Sequence, residues 1–462
     1  MTQQTGRGIN FLKSVGVYAI GNIGSKLITF LMIPLYTFFV NPADFGYYDL
    51  CLNTVMLLSC FASLQLRDGA FRFLVDCKTE TEQTRVVSVS LKLLLRSFSI
   101  SLLLTLLMAL FYPVRCLWLS FGLMLSIALL EVVGQMARGI GRTEVFVTSN
   151  IISAFSIGGF SVVLVAWCGW GINGIFIANI LARLIAAVYI ELRTGLIRRL
   201  FKPAIKDKGL TTDLLRYVLP LIPSIICWWL TTCSDRFFIQ HYFSLADNGI
   251  YAVAARFGAI LQILGAIIFQ AWQETALRQY NSPDRDAFFS KMMNIFIIFL
   301  SAALICFTFG LKIVYPYIVN KEYISGIVYV YPISAAAILY ALSNFLEMGY
   351  QCSRETKRVL PGFAVAAVVN LLLNFILVQT IGIAGVVITS VTTYAVLLAF
   401  RLYDSRRYFK ITISRKSLAV ALLAVAAALP FYLTDSLIAD AAIIAAGCGA
   451  MAMLAPGILR KK

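Results

Sequence analysis

The chain alternates between long apolar runs and short polar joints. The runs hold about 20 residues each, the length that a helix needs to cross the hydrocarbon core of a bilayer, and they lack the ten-residue alternation of membrane strands. Helices satisfy their own backbone hydrogen bonds in lipid. The pattern therefore predicts an all-α polytopic membrane protein of about fourteen spans, at roughly 14–40, 45–66, 86–111, 117–137, 146–168, 172–193, 213–240, 247–272, 288–311, 324–350, 359–379, 382–402, 417–434 and 437–457.

Two short segments of this pattern occur twice. Residues 43–48 read Ala-Asp-Phe-Gly-Tyr-Tyr and residues 246–251 read Ala-Asp-Asn-Gly-Ile-Tyr, each time between two apolar runs. Gly-Ile-x-Gly opens the run at 171–175 and the run at 382–386. Repeats of this kind are typical of secondary transporters, and unchanged orientation indicates a parallel repeat about an axis along the membrane normal.

The repeat predicts how the chain divides. We expect two parallel six-helix lobes, 1–193 and 213–402, joined by a cytoplasmic linker, 194–212. An extra helix pair, 403–462, lies outside the repeat. Since its two spans are rich in Ala and Leu and show no charge that we expect to be buried, we predict a lipid-facing appendage.

Composition and charge agree with a membrane protein and fix a predicted orientation. Hydrophobic residues make up 60% of the chain and charged residues 13%, with a net charge of +17. The positive charge lies in alternate joints, whereas the opposite joints hold only Arg115, Lys312 and Lys321. By the positive-inside rule both termini are expected in the cytoplasm. The excess of basic residues thus reflects the orientation of the chain in the membrane, and nucleic acid is not an expected partner.

Other chemistry finds little support in the sequence. The ten cysteines are scattered without metal-ligand spacing, His241 is the only histidine, and there is no Gly-Lys pair and hence no P-loop. No long outer joint carries the residues of a catalytic domain. We therefore predict no catalytic residues, no metal site, no cofactor and no enzymatic activity.

Ionisable residues inside the spans are the candidates for function, because a charge in the membrane usually faces a wet cavity or a partner. The cations outnumber the anions, and this favours an anionic cargo such as a diphosphate. The alternative is that the polar residues tie helices together, the cations pairing with Asp235, Glu131 or backbone carbonyls. Within the spans the cations are Lys26, Lys92, Arg96, Arg183, Arg236 and Arg256, and the anions are Glu131, Asp235 and Glu347.

Polar neighbours on the same helical faces extend this set. Asn22 lies one turn from Lys26, and Asn179 lies one turn from Arg183. We predict a cavity between the lobes, in which the cations hold the cargo. The candidate cavity residues are Lys26, Arg183, Arg236, Arg256, Asn22, Asn179 and Asp235.

Several short motifs give the chain a resemblance to a known family. It resembles the polysaccharide (oligosaccharide) flippases of the MOP exporter superfamily, over the first twelve helices. Lys26 and Arg256 match regions where related flippases place cavity cations, although Lys26 stands where an arginine is expected. The motifs are the Asn22/Ser25 face, Pro34 before Asp44-x-Gly46-x-Tyr48, Gly69-Ala70-Phe71-Arg72, Ser234-Asp235-Arg236 and Gly249-Ile250-Tyr251.

The resemblance implies a function. It implies two lobes about a central cavity and alternating access. The cargo would be undecaprenyl-diphosphate-linked oligosaccharide for O-antigen or another surface polysaccharide, moved across the bacterial inner membrane, with a polysaccharide polymerase and chain-length machinery as further partners. In the related lipid II flippases the extra helix pair shapes a groove for the polyprenyl tail. Two alternatives remain: a cation-coupled multidrug exporter of the same fold, and a membrane-embedded sugar transferase or polymerase.

Overall fold

The computed structural model describes residues 30–201, 208–353, 355–433 and 436–452. All regular structure in these ranges is helical. Short 3₁₀ or π turns join several of the α-helices. The α-helices are α1 (described over Phe30–Phe39), α2 (Pro42–Ser63), α3 (Leu66–Asp76), α4 (Glu80–Phe111), α5 (Leu117–Gly139), α6 (Thr143–Ser161), α7 (Gly171–Thr194), α8 (Lys208–Val218), α9 (Ile222–Cys233), α10 (Asp235–Tyr242), α11 (Leu245–Gln279), α12 (Arg285–Ile318), α13 (Ile327–Cys352), α14 (Val359–Ile381), α15 (Ile383–Asp404), α16 (Arg415–Ala426), α17 (Ala428–Leu433) and α18 (Leu437–Ala452).

The helices have the lengths and apolar surfaces of membrane spans. Within the described ranges, 12 helical stretches are long and apolar enough to cross a membrane, and Phe30–Phe39 and Ile438–Gly449 are shorter apolar helices. The predicted all-α multi-pass membrane protein is confirmed, and its count of about fourteen spans holds approximately. Most of the predicted first span, with Asn22 and Lys26, lies outside the described residues.

The described residues form two compact units, and the boundary between them falls inside α9, after Trp229. In the first unit, α2, α3, α6 and α7 pack around α5. Its core includes the fully buried side chains of Val132, Met136 and Leu214. Leu214 belongs to α8, so the helix that follows the predicted linker is part of this unit's core. The predicted bounds of the two lobes stay a prediction.

The second unit is built around the long helices α11, α12 and α13. Trp272 of α11 is fully buried and stacks on Phe345 of α13, with 4.3 Å between the ring centroids. Phe289 of α12 meets the same indole edge-on at 4.8 Å. This aromatic cluster fixes three helices to one another, and α14 and α15 complete the bundle against α13 and each other.

The first repeated motif has a structural explanation, because its aspartate lies in the first turn of a helix in both copies. Asp44 accepts from Asn41 Nδ2 at 3.0 Å, while Asn41 Oδ1 accepts from the Asp44 amide at 2.8 Å. Asp247 forms a capping box with Ser244, with amide–side-chain distances of 3.1 and 3.2 Å. Each copy therefore marks the start of a long helix, α2 or α11.

The second repeated motif also has one role in both copies. Gly171 and Gly382 have φ values of +51° and +69°, a conformation that glycine adopts without steric strain. A Cβ at Gly174 would lie 3.1 Å from a backbone oxygen of the preceding turn, and one at Gly385 would lie 2.4 Å from a backbone oxygen of α14. In each pair the first glycine makes the turn, and the second lets consecutive helices pack closely.

Helices α16 to α18 form the described part of the extra pair, and they are tied to α12 along its length. Asn294 Nδ2 donates to the carbonyl of Thr412 at 2.8 Å, just before α16. Towards the other end of α12, Lys312 Nζ lies 3.6 Å from Asp440 Oδ1, and Asp440 is only 4% exposed. The prediction that this pair holds no buried charge was therefore wrong. An isolated Asp in the sequence of α18 gave no sign of the lysine that faces it from α12.

Candidate functional site

The second unit contains a cavity of about 150 Å³ between α9, α10, α11, α13 and α15. Small residues form part of its wall, among them Ala255 and Ala259 of α11 and Ala336 of α13. A volume of this size admits one small group rather than a drug-sized ligand. The polar side chains that line the cavity are Thr231, Thr232, Asp235, Arg236, Tyr251, Gln262, Tyr340, Ser390 and Tyr394.

A break between α9 and α10 presents two charged residues to this cavity. Ser234 interrupts the helix, and its hydroxyl donates to Asn370 Oδ1 of α14 at 2.8 Å. Asp235 and Arg236 follow in the first turn of α10. Asp235 is 3% exposed, whereas Arg236 is half-buried.

Asp235 joins four helices. Its Oδ2 accepts hydrogen bonds of 2.8 Å from the hydroxyls of Tyr251 on α11 and Ser390 on α15. Its Oδ1 accepts from Asn374 Nδ2 of α14 at 3.0 Å. Hydrogen bonds to a buried carboxylate are stronger than those between neutral groups. Asp235 therefore holds α10 in place, and the geometry supports a positioning role.

Arg236 supplies the cationic group of this cavity. Its Nη1 donates to the carbonyl of Thr232, one turn earlier, at 2.8 Å. The guanidinium carbon lies 5.5 Å from the centre of the Tyr251 ring, a cation–π distance. Because Tyr251 also binds Asp235, the aspartate, the tyrosine and the arginine form one connected arrangement.

Close packing of α11 on α13 forms the floor of the cavity. A Cβ at Gly258 would lie 2.6 Å from a side-chain carbon of Ile333, and one at Gly265 would lie 2.6 Å from Cβ of Ala341. Substitution of either glycine would push the helices apart. The width of the cavity thus depends on small residues without polar or reactive side chains.

The first unit holds Arg183 and Asn179 on one face of α7. Arg183 Nη1 donates to the carbonyl oxygen of Asn179 at 2.8 Å and to its side-chain oxygen at 2.9 Å. The two residues lie on one face of α7, as their spacing indicated, and they are hydrogen-bonded to each other. Arg183 and Arg236 share a geometry, since each guanidinium binds the backbone carbonyl of the residue four positions earlier.

The remaining predicted site residues have different surroundings. Arg256 is half-buried on α11 and is not among the residues that line the cavity. Lys26 and Asn22 lie outside the described residues. In the described ranges no group of three or more His, Cys, Asp or Glu side chains could hold a metal ion.

Two of the anions that we identified in the sequence form ion pairs with arginines of other helices. Glu131 of α5 lies 3.2 Å from Arg67 of α3, and Glu347 of α13 lies 2.8 Å from Arg401 of α15. Arg401 is 1% exposed and also donates to Asn344 Oδ1 at 3.0 Å.

Sequence reasoning missed two hydrogen-bond partners of Asp235, Asn374 and Ser390, and part of the cavity wall. Asn370 and Asn374 recur one helical turn apart on an otherwise apolar helix, a spacing that could have marked a polar face of α14. Ser390 and Tyr394 show the same spacing on α15. Gln262 stands alone in its run, so no pattern pointed to it.

Comparison with known proteins agrees with this architecture. The family model for "Polysaccharide biosynthesis protein" matches residues 11–273. No curated protein sequence is significantly similar to the chain.

Solved structures share the fold. A structure of the lipid II flippase MurJ in an inward closed conformation has a TM-score of 0.71 at 14% identity, covering 96% of this chain and 100% of that one. An inward-facing multidrug resistance MATE family transporter of the MOP superfamily has a TM-score of 0.66 at 14% identity, covering 93% and 100%. An outward-facing structure of a multidrug resistance MATE family transporter of the MOP superfamily has a TM-score of 0.58 at 14% identity, covering 90% of this chain and 96% of that one.

At such low identity the solved structures establish the fold, whereas the family model covers more than half of the chain. The resemblance expected from the motifs is confirmed. This multi-pass membrane protein has the fold of the MOP superfamily transporters, and it belongs to the polysaccharide biosynthesis protein family.

Proposed function

We propose that the chain is a flippase for undecaprenyl-diphosphate-linked oligosaccharide repeat units in the synthesis of O-antigen or another surface polysaccharide. It works by alternating access in the bacterial inner membrane, with both termini in the cytoplasm. The family match and the fold shared with a lipid II flippase support this proposal. The observation that carries it is the placement of Arg236 at a cavity among membrane-spanning helices.

The diphosphate is the part of such a cargo that resists entry into the membrane, because a charge loses its hydration there. A guanidinium presents several donors in a fork that matches phosphate oxygens, and Arg236 also donates to the carbonyl of Thr232. A charge-assisted hydrogen bond contributes about 1–3 kcal/mol, enough to hold the head while still allowing release. Asp235 keeps α10, and with it Arg236, in place.

The other predicted cations complete the proposal. We propose that Lys26, Arg183 and Arg256, with Asn22 and Asn179 beside them, contact the cargo at other points of its path. Several partial contacts suit transport better than one tight site, because the cargo must be released. The small volume of the cavity beside Arg236 agrees with contact to only one part of the cargo at a time.

The test measures surface polysaccharide and membrane-protein abundance together in cells that carry Arg236→Ala. Loss of a contact worth about 1–3 kcal/mol should slow flipping about 5- to 150-fold at unchanged abundance. Arg183→Ala, Arg256→Ala and Lys26→Ala should act in the same direction. Arg198→Ala removes a side chain that is 80% exposed, and it is the matched control. Normal polysaccharide in all four cavity variants, or losses that follow abundance, would reject the proposal.

A second variant fills the cavity and leaves every polar group in place. Ala259→Leu adds bulk to the cavity wall, whereas Ala109→Leu adds it on the exposed surface of α4. We expect loss of surface polysaccharide only for Ala259→Leu.

The same variants separate the alternatives. A multidrug exporter would lose resistance to toxic cations, with the polysaccharide unchanged. A sugar transferase or polymerase would lose the corresponding product in isolated membranes supplied with lipid-linked sugar. In a flippase the variants would change neither drug resistance nor the synthesis of such a product in isolated membranes.

A further inference from the structure

Helices α2 and α3 are separated by two residues in an unusual backbone conformation. Leu64 and Gln65 have φ values of +50° and +52°, in the left-handed region, and neither is glycine. For an L-residue with a side chain, this conformation disfavours the state that contains it by a factor of roughly 5 to 30. The break therefore stores strain at two consecutive positions.

The local sequence does not require a break here. Between Gly46 and Gly69 the chain contains neither glycine nor proline, and both leucine and glutamine are good helix formers. A break fixed by the sequence would carry Gly or Pro at this point. The residues of 42–76 instead favour one continuous helix, so local preference and observed structure disagree.

Contacts made by α3 hold the broken conformation. Arg67 Nη1 lies 3.2 Å from Glu131 Oε2 of α5, just after the break. A Cβ at Gly69 would lie 2.4 Å from a side-chain carbon of Val218, which shows how closely α3 packs on α8. These partners stabilise α3 in the position that the break gives it.

The break also leaves a polar group unsatisfied. Gln65 is 2% exposed, and its Nε2 donates to Sγ of Cys60 at 3.0 Å. Its Oε1 accepts no hydrogen bond from the residues that the structure describes. A buried acceptor without a partner is unfavourable, and it gives a second reason for the segment to have another conformation.

We propose that 42–76 is a two-state helix, broken at Leu64 and Gln65 in the arrangement seen here and continuous in the alternative one. Straightening relieves the strain of both left-handed residues but loses the contacts of α3, so the two contributions to the free energy oppose each other. The change alters the direction of α3 relative to α2. The Arg67–Glu131 ion pair then depends on the side of the membrane to which the protein is open. The inference rests on the alternating access of the proposed function, but its test measures helix geometry.

The test places spin labels on Met56→Cys in α2 and Val75→Cys in α3, two side chains that are 44% and 55% exposed. The native cysteines are replaced, with Cys60→Ser keeping an acceptor for Gln65. In a continuous helix these positions lie about 28 Å apart along the axis. The ratio of broken to continuous helix is read from the distance distribution of the purified full-length chain.

Two double variants move the ratio in opposite directions. Leu64→Gly with Gln65→Gly removes the left-handed strain and favours the broken helix, whereas Leu64→Ile with Gln65→Thr places β-branched residues there and favours the continuous one. We expect the ratio to differ at least about tenfold between them. Leu64→Ala alone keeps both the left-handed strain and Gln65, and it should match the parent.

A smaller difference, or one distance shared by the glycine and β-branched variants, overturns the two-state helix. That outcome leaves the proposed cargo untouched. Conversely, a two-state helix in a protein that moves no lipid-linked sugar would overturn the proposed function alone.

Discussion

The hydroxyl of Tyr251 donates a 2.8 Å hydrogen bond to Oδ2 of Asp235, and through it the repeated motif at 246–251 reaches the cavity of the second unit. The motif does two things at once. Its Asp247 caps α11, and its tyrosine, one turn later, holds the carboxylate beside Arg236. Helix start and site geometry are therefore specified by the same six residues.

The first prediction concerns this hydrogen bond. Tyr251→Phe removes one donor to a buried carboxylate and should lower the free energy of unfolding by about 1.5–3 kcal/mol. Asp235→Ala should cost more, because it removes the acceptor of Tyr251, Asn374 and Ser390 at once. Thermal melting of the purified protein in detergent measures both changes.

Tyr403→Phe is the matched control, since Tyr403 is 70% exposed. If Asp235→Ala melted at the temperature of the parent, Asp235 would have no positioning role.

The second prediction concerns the glycine that packs α15 on α14. A Cβ at Gly385 would lie 2.4 Å from a backbone oxygen, which cannot yield as a side chain would, so Gly385→Ala should destabilise by about 1–3 kcal/mol. Gly174→Ala, with a contact of 3.1 Å, should have the smaller effect of the two.

Gly310→Ala serves as the control, because a Cβ at Gly310 would meet no described atom within 4 Å beyond the backbone of its own helix. Alanine in an open helical position should raise the stability by about 0.5–1 kcal/mol. Equal melting temperatures for Gly385→Ala and Gly310→Ala would contradict the close approach.

The sequence was sufficient for the fold because lipid leaves few alternatives. Apolar runs of span length must be helices, and the repeated motifs mark corresponding helix starts. It also identified Asp235 and Arg236 as candidates, since a charge inside a span is rare.

The sequence could not give the partners of those charges, because they come from distant helices. Asn374 and Ser390 lie more than a hundred residues from Asp235, and only the folded bundle brings them together. The break at Leu64 was unpredictable for another reason. Its residues favour a helix, and only tertiary contacts select the left-handed conformation.

The third prediction concerns pH. Glu355 lies outside the spans, and hydrogen bonds from Tyr408 at 2.9 Å and Arg358 at 2.6 Å lower the pKa of its carboxyl group. The folded state therefore favours the ionised form. The stabilisation is present above the pKa of the unfolded chain, about 4.3, and is lost as pH falls through the lower folded pKa.

We expect the melting temperature to fall on acidification below about pH 4.3. The fall should be smaller in Glu355→Gln than in Glu322→Gln, which changes an exposed carboxylate elsewhere. The effect is small, since the carboxylate of Glu355 is solvated. Identical pH profiles for the two variants would show that this cluster contributes nothing.

The last prediction concerns the ion pair that ties the extra helices to α12. Lys312 Nζ and Asp440 Oδ1 lie 3.6 Å apart, with side chains only 15% and 5% exposed, and Lys312 also lies 5.5 Å from the ring centre of Phe431. Removing one partner strands a buried charge, so Lys312→Met or Asp440→Leu should each lower stability by about 3–5 kcal/mol. The double variant replaces the pair by apolar side chains and should recover most of that loss. Protein abundance and melting temperature of the two single variants and the double variant form the measurement, a double-mutant cycle. Additive losses would mean that the two charges act independently, and the ion pair would then not be what holds α18 to α12.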